Sequence, residues 1–462
     1  MTEQINVLFS NNQKVKENNN LQRLLSLETG KDCFLTTLDD EIAFIVTIGN
    51  NNYELDEIRM LAGDISRELG KHRIRSGKVD LNELLKTFDY ISKPELITAF
   101  VEGWTLGNYS FSKYKTRELK IETDLKFNDI TGIESYIERG KTRANATAFT
   151  RDLVNETPEA LNPTTFPKYL EKEFNNSNVD MKLLDEAEIS KMHGVLAVNK
   201  GSKHPAAFIE LAYCGDQSKP LTVLVGKGVT FDTGGISLKV RRNISVMKMD
   251  MAGAAAVAGA VKLLADTHAQ VNVIGLIPVV ENILGEDSYL PGDIITYNNN
   301  LSVEIGNTDA EGRLILADGL LRANEIGAEY VVDIATLTSS VKQALGNEMA
   351  GVFGDNELTR KIEEIGNKNG DFVWSLPLLN KYEKNIKSDY ADICNISSGD
   401  GPGSIIAALF LRHFVKDVKK WLHIDMAGVK ESDEAGYYSK SASGYGARLL
   451  ADYAEYISNQ EW

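Results

Sequence analysis

Eight residues, Asn307 to Leu314, read Asn-Thr-Asp-Ala-Glu-Gly-Arg-Leu and constrain what surrounds them. They place two carboxylates, Asp309 and Glu311, and a cation, Arg313, at alternate positions. In extended backbone residues i, i+2 and i+4 share a face, so the spacing predicts that all three project together. Leu301 to Ile305 reads as a strand before them. Leu314, Leu316, Ala317, Leu320 and Leu321 read as a helix after them. Carboxylates at a strand-to-helix junction beside the flexible Gly312 suit a metal ion. Taken alone, the octapeptide suits a solvated acidic turn equally well.

The rest of the chain reads as α/β. Its 462 residues allow two or three domains. Residues 1–140 read as a small N-terminal α/β domain for scaffold or assembly. It has a strand at Glu41–Ile48, helices through Leu55–Leu69 and Leu81–Phe88, a helix starting at Ser92-Lys93-Pro94-Glu95, and a strand at Leu119–Glu122. A helical linker is expected over 141–160, within a helical stretch from about Asp129 that Asn155-Glu156-Thr157-Pro158 ends. Residues 161–462 alternate glycine-rich loops, short apolar strands and helices, the pattern of a larger C-terminal doubly wound α/β domain. Strands are expected at Ala206–Tyr213, Leu221–Val225, Val271–Val279 and Tyr330–Ile334, and helices at Asp250–Asp266, Leu314–Ile326 and Ser404–Val415.

Charge and cysteine usage narrow the function classes. Lys plus Arg is 50 against 66 for Asp plus Glu, a net charge of -16. This opposes nonspecific nucleic-acid binding and docking on anionic membrane. The basic run Lys71-His72-Arg73-Ile74-Arg75 reads as a solvated helix end. Cys33, Cys214 and Cys394 form no CxxC pair and read as reduced. With no basic-then-apolar start and no apolar run approaching the roughly 18 residues of a membrane span, a cytoplasmic protein is expected.

A second constellation follows the strand at Leu221–Val225: Gly226-Lys227-Gly228-Val229-Thr230-Phe231-Asp232-Thr233-Gly234-Gly235. The glycines permit close backbone approach, and the spacing excludes a phosphate-binding loop. Lys239 and Asp250 follow. Singly, Lys239 reads as a surface lysine and Asp250 as a helix N-cap. With the octapeptide those readings weaken. Asp232, Asp250, Asp309 and Glu311 cannot crowd one cleft unless cations neutralise them. Such oxygen-rich sets favour two divalent ions about 3.5–4 Å apart. The six histidines form no ligand-spaced pair, which leans toward harder ions such as Mn²⁺ or Mg²⁺, with Zn²⁺ also admitted.

At these residues the chain resembles the leucyl aminopeptidase family of dimetal metallopeptidases. The octapeptide matches the family signature without a change, and Lys227, Asp232, Lys239, Asp250, Asp309, Glu311 and Arg313 fall at its spacing. Arg151–Asn155, Gly201-Ser202 with Pro205, Ala335–Thr338 and Trp421–Asp425 with Ala427-Gly428 extend the likeness over about 145–455. The resemblance implies hydrolysis of the N-terminal residue from short peptides, or of Cys-Gly-type dipeptides. It implies two divalent ions per subunit, Mn²⁺ or Zn²⁺, with Mg²⁺ or Co²⁺ as alternatives. One ion would be held by Asp232, Asp309 and Glu311, the other by Lys227, Asp232, Asp250 and Glu311. Lys239 would stabilise the oxyanion. Arg313 would hold a bicarbonate that carries a proton. Met247, Thr336, Leu337, Ser339 and Ala427 would line the pocket for the first side chain. A homohexamer of two stacked trimers is also implied.

Departures from the family pattern bear on specificity. Val240 and Ala252 replace a common proline and glycine and look tolerable. Ser339 replaces a common glycine, and Lys430 falls where some members are apolar. The serine would narrow the pocket and the lysine would make it more polar, weakening a preference for Leu. The competing class is a non-catalytic or DNA-binding regulator on the same fold. The net charge and the presence of all seven site residues speak against it.

Overall fold

The computed structural model describes residues 4–27, 33–49, 52–116, 121–240, 243–397, 399, 401–415, 418 and 420–460. It is a mixed α/β structure that divides into two compact units. One comprises 1–148 together with 433–441, the other 149–432 together with 442–462. The first division falls inside the helix Glu134–Asn155.

The N-terminal unit holds five strands: β1 (Ile5–Phe9), β2 (Cys33–Leu38), β3 (Glu41–Val46), β4 (Ser76–Val79) and β5 (Asp124–Phe127). They form one sheet in the order β2-β3-β1-β4-β5, parallel except for the β2–β3 pair. The last strand lies beyond the expected Leu119–Glu122, of which Leu119 and Lys120 are outside the described residues and Ile121 and Glu122 are not in a strand. Alternation sets the buried face: Ile5, Val7 and Phe9 are buried and Asn6 is exposed. The helices Leu55–Lys71 and Lys93–Asn108 pack closely. A Cβ on Gly103 would meet the Arg59 carbonyl oxygen at 2.2 Å, so only glycine allows the approach. Beside it the buried Glu102 pairs with Arg59 at 3.1 Å and Arg143 at 3.2 Å. The segment 433–441 completes this unit. Arg67 donates to Gly436 O at 2.9 Å, Gly436 N to Asp64 Oδ1 at 2.8 Å, and the Tyr437 hydroxyl to Asp56 at 3.0 Å.

The larger unit is built on β6 (Asp180–Leu183), β7 (Ala207–Cys214), β8 (Leu221–Gly226), β9 (Gly228–Asp232), β10 (Asn272–Asn282), β11 (Ile294–Thr296), β12 (Ser302–Glu304), β13 (Tyr330–Ala335), β14 (Ala350–Gly354), β15 (Val373–Ser375), β16 (Ile393–Cys394) and β17 (Lys420–Asp425). The main sheet runs β15-β14-β17-β13-β8-β10-β7-β6, with β9 pairing β10. Its centre, β10-β8-β13-β17, is parallel. These strands are buried on both faces, and β8 and β13 are largely apolar, whereas β17 carries His423 and Asp425 within its buried run. The helices Ala252–Asp266 and Gly312–Glu325 pack against them. The stretch Ile244–Asp266 does reach the length and apolarity of a membrane span, contrary to expectation from the sequence. It is a 3₁₀ turn followed by the small-residue helix, most of whose residues are buried, as befits a core helix. Parallel order matters because the loops leaving the carboxyl ends of such strands gather on one edge.

One buried pair in this sheet yields a pH prediction. His423 and Asp333 are register partners on β17 and β13, and the imidazole Nδ1 bonds the carboxylate. Burial would lower the imidazole pKa, but the facing Asp333 charge outweighs it and the value is raised. A raised folded-state pKa stabilises fully below the unfolded value of about 6.5 and is lost as pH rises through the folded value. Thermal melts from pH 6 to 9 should therefore show a stability component, fading above about 6.5, that His423→Gln lacks. Parallel Tm curves for the two proteins would refute it.

Candidate metal centre and active site

Several of the predicted site residues lie at the carboxyl ends of strands of the main sheet, and Asp309, Glu311 and Arg313 follow β12 of the smaller β11-β12-β16 sheet. Lys227 directly follows β8, and its amide donates to Ile334 O at 3.1 Å. Asp232 ends β9. Thr336 follows β13, and Ala427 lies two residues beyond β17. Gly234 and Gly235, both at positive φ, turn the chain back so that Lys239 faces Asp232 at 2.6 Å.

The octapeptide differs from its expected extended form. Asp309 sits in a turn, Glu311 is the N-cap residue in a helical conformation, and the helix starts at Gly312. The alternation argument therefore fails locally. The turn nonetheless aims the carboxylates at one point: ligand atoms of Asp232, Asp309 and Glu311 lie within 4.8 Å of one another. Asp250 is not an N-cap either; Met251 takes that position. Asp250 instead accepts from the Thr336 hydroxyl at 2.7 Å and pairs with Lys227 at 2.6 Å. Lys227 also reaches Glu311 at 2.9 Å and donates to Thr336 O at 3.2 Å. Lys239 reaches Asp309 as well as Asp232.

The electrostatics follow from four carboxylates facing two buried ammonium groups. Burial pushes the Asp232, Asp250 and Asp309 carboxyls up, and the Glu311 charge adds to each. Glu311 goes the other way. Burial alone would raise it, but Lys227 and Lys239 together hold it below its ordinary value. Both lysines are desolvated, yet the carboxylates around them outweigh that and raise their values. A set of acids this crowded and this poorly compensated fits divalent ions, which supply the missing positive charge. Gly312 is part of the fit. A Cβ there would meet Lys227 Cε at 2.6 Å.

Arg313 is buried, and burial pushes its guanidinium down to about 10. Its Nη1 donates to Asn395 O at 2.7 Å, while Nε has no protein partner among the described residues. All seven charged residues line one cavity of about 640 Å³. Met247, Thr336, Leu337, Ser339 and Ala427 line it too, with Lys342, Lys430 and Glu431.

Three supporting residues escaped sequence reasoning. Asn282, at the end of β10, donates to Asp232 at 2.8 Å, to Thr308 O at 2.9 Å and to Glu311 at 3.3 Å. Its one signal is an amide ending an apolar strand. Asp425 accepts from the Leu337 and Thr338 amides, the Thr338 hydroxyl and the Ala427 amide, tying two cavity loops together. Asn395 accepts from the Gly306 amide and donates to Asn307 O, holding the start of the octapeptide.

Residues 148–451 match the cytosol aminopeptidase family, catalytic domain. A probable cytosol aminopeptidase of Geotalea uraniireducens is 38% identical over 456 residues, covering 94% of this chain and 89% of that one. One of Sulfurihydrogenibium sp. is 35% identical over 441 residues, covering 92% and 86%. The solved bottromycin maturation enzyme BotP superposes with a TM-score of 0.89 at 28% identity over the whole of both chains, and it has also been solved in complex with Mn. The chain belongs to the cytosol aminopeptidase family and is a hydrolase, a metallo-aminopeptidase.

Proposed function

We propose that the enzyme removes the N-terminal residue from short peptides with two divalent ions held by this chain's own side chains. Asp232, Asp309 and Glu311 hold one ion; Lys227, Asp232, Asp250 and Glu311 hold the other. The convergence of the Asp232, Asp309 and Glu311 oxygens within 4.8 Å carries this reading. Once bound, the ions polarise the peptide carbonyl and lower the pKa of an attacking water. Lys227 ligates as the free amine, which the added cationic charge favours. Lys239, an ammonium already at the cluster's edge, pairs with the negative charge that develops on the carbonyl oxygen. Arg313 offers its unpartnered Nε to a small anion, and bicarbonate is the candidate proton carrier. Met247, Thr336, Leu337, Ser339 and Ala427 receive the first side chain.

Mn²⁺ is the leading ion, in keeping with the Mn complex of the similar BotP, with Zn²⁺ next and Mg²⁺ or Co²⁺ as substitutes. A dipeptidase acting on Cys-Gly is a variant of the same chemistry. We further place the working enzyme in the cytoplasm as a homohexamer, a dimer of trimers. The net charge of -16 weighs against the DNA-binding alternative.

The test strips the enzyme with chelator and adds back Mn²⁺, Zn²⁺, Mg²⁺ or Co²⁺ singly, against a panel of amino-acid p-nitroanilides and dipeptides. Cleavage should vanish on stripping and return with Mn²⁺ or Zn²⁺. Folded protein that cleaves nothing with any ion, or cleaves equally well without one, would sink the proposal.

A further inference from the structure

The cavity lining carries two cations that the acidic cluster does not use. Lys342 and Lys430 line it, and Glu431 is the one carboxylate outside the cluster among the described lining residues. The Lys430 side chain is only 12% exposed, and its partner Glu431 is 3.4 Å away and 37% exposed. The one ion pair of Lys430 among the described residues is thus a long contact to an exposed carboxylate, the kind worth little. Lys342, on the helix Ser339–Leu345, is exposed and has no ion pair among the described residues. The segments carrying the two lysines adjoin: a Cβ on Gly428 would lie 2.3 Å from Gly346 O and 3.7 Å from Lys342 Cα. The Lys430 carbonyl is fixed by the Ser443 amide at 3.1 Å. The nearby lining is hydroxylic, with Thr338, Ser339 and Ser340.

We propose that Lys430, assisted by Lys342, recognises a carboxylate of the substrate, so that the enzyme prefers peptides with a negative charge near the scissile bond. This rests on the aminopeptidase reading and adds a specificity determinant to it. Two carboxylates have the right chemistry: the side chain of an N-terminal Asp or Glu, and the free C-terminus of a dipeptide. Either would form a charge-assisted hydrogen bond with a lysine.

The experiment measures kcat/KM with the Mn²⁺-loaded enzyme for two substrate pairs, the Glu and Leu p-nitroanilides and Leu-Gly and Leu-Gly amide. The wild type should favour the charged member of at least one pair. Lys430→Met should lower that ratio about tenfold, the scale of one hydrogen bond to a charged group. Lys342→Ala, on an exposed helix face, should lower it less and guards against a folding failure at Lys430. A fall in the first pair identifies the side chain as the recognised group, and a fall in the second identifies the C-terminus. A wild type that favours the neutral member of both pairs overturns the proposal, as do ratios within twofold of wild type in both variants. No cleavage of any substrate by the wild type would instead overturn the aminopeptidase reading, and this inference with it.

Discussion

Asp309→Ala and Glu311→Ala should each remove at least about a thousandfold of kcat/KM. Loss of a group that merely orients a ligand typically costs about 10–100-fold, and loss of a ligand itself should exceed that. The two variants should differ in stability. Asp309 is 29% exposed at its side chain, so its alanine variant should melt close to wild type. Glu311 is fully buried, faces Lys227 at 2.9 Å and accepts from Asn282. Removing it takes one of two paired carboxylates from the buried Lys227, leaving Asp250 at 2.6 Å, and should cost about 1–3 kcal/mol, the scale of a hydrogen bond to a charged group. Steady-state kinetics with Mn²⁺, thermal melts and metal content per chain read all three effects. Activity within tenfold of wild type in both variants, with metal content unchanged, would mean that the carboxylates are not ligands.

Gly253→Ala should destabilise the larger unit by about 3 kcal/mol, the upper end for overpacking. Helix propensity alone predicts the opposite sign, a gain of about 1 kcal/mol on replacing glycine with alanine. The clash wins because the new Cβ would lie 2.2 Å from Ile334 O and 3.0 Å from Lys227 N, both main-chain atoms of the central sheet. Those atoms cannot step aside without breaking the Lys227–Ile334 hydrogen bond. The helix start and the end of β8 interlock there, since Ala254 N donates to Lys227 O at 2.9 Å and a Cβ on Gly226 would meet Gly253 O at 2.6 Å. A fall of roughly 6–12 °C in Tm is expected, together with reduced activity, because Lys227 moves. A Tm equal to or above that of wild type would mean that propensity, not packing, governs the position.

These two positions mark what periodicity can and cannot reach. The central strands at Leu221, Asn272 and Tyr330 and the helix ending at Asp266 were legible because long apolar runs between glycine-rich loops leave few alternatives. Seven of the cavity's charged residues were legible as one group because four acids brought together need cations beside them, whereas Lys342 and Glu431 left no such signal. The local geometry of Asp309 and Glu311 was not. A turn and an N-cap mimic alternation over five residues, and nothing in eight residues of sequence separates them. Asp250, taken singly, reads as a cap for a related reason. An acid before a small-residue helix has the composition of a cap, but its side chain is drawn away by Lys227 and Thr336, which are distant in sequence. Asn282, Asn395 and Asp425 act chiefly through contacts 26 to 89 residues away, which leave no local trace.

The nine residues Asp433–Ser441 have a consequence for modularity. They come from late in the chain, yet they supply Gly436 and Tyr437 as hydrogen-bonding partners of Arg67, Asp64 and Asp56 in the N-terminal unit. A Cβ on Gly63 would meet Tyr437 N at 2.4 Å, so its helix is shaped to that segment. The N-terminal unit is therefore not a cassette. A fragment ending at Ala148 lacks a piece of its own fold, and a chimera that swaps only the first third of the chain between relatives inherits a mismatched insert. Recombination between such proteins, in the laboratory or in evolution, must exchange two separated stretches at once.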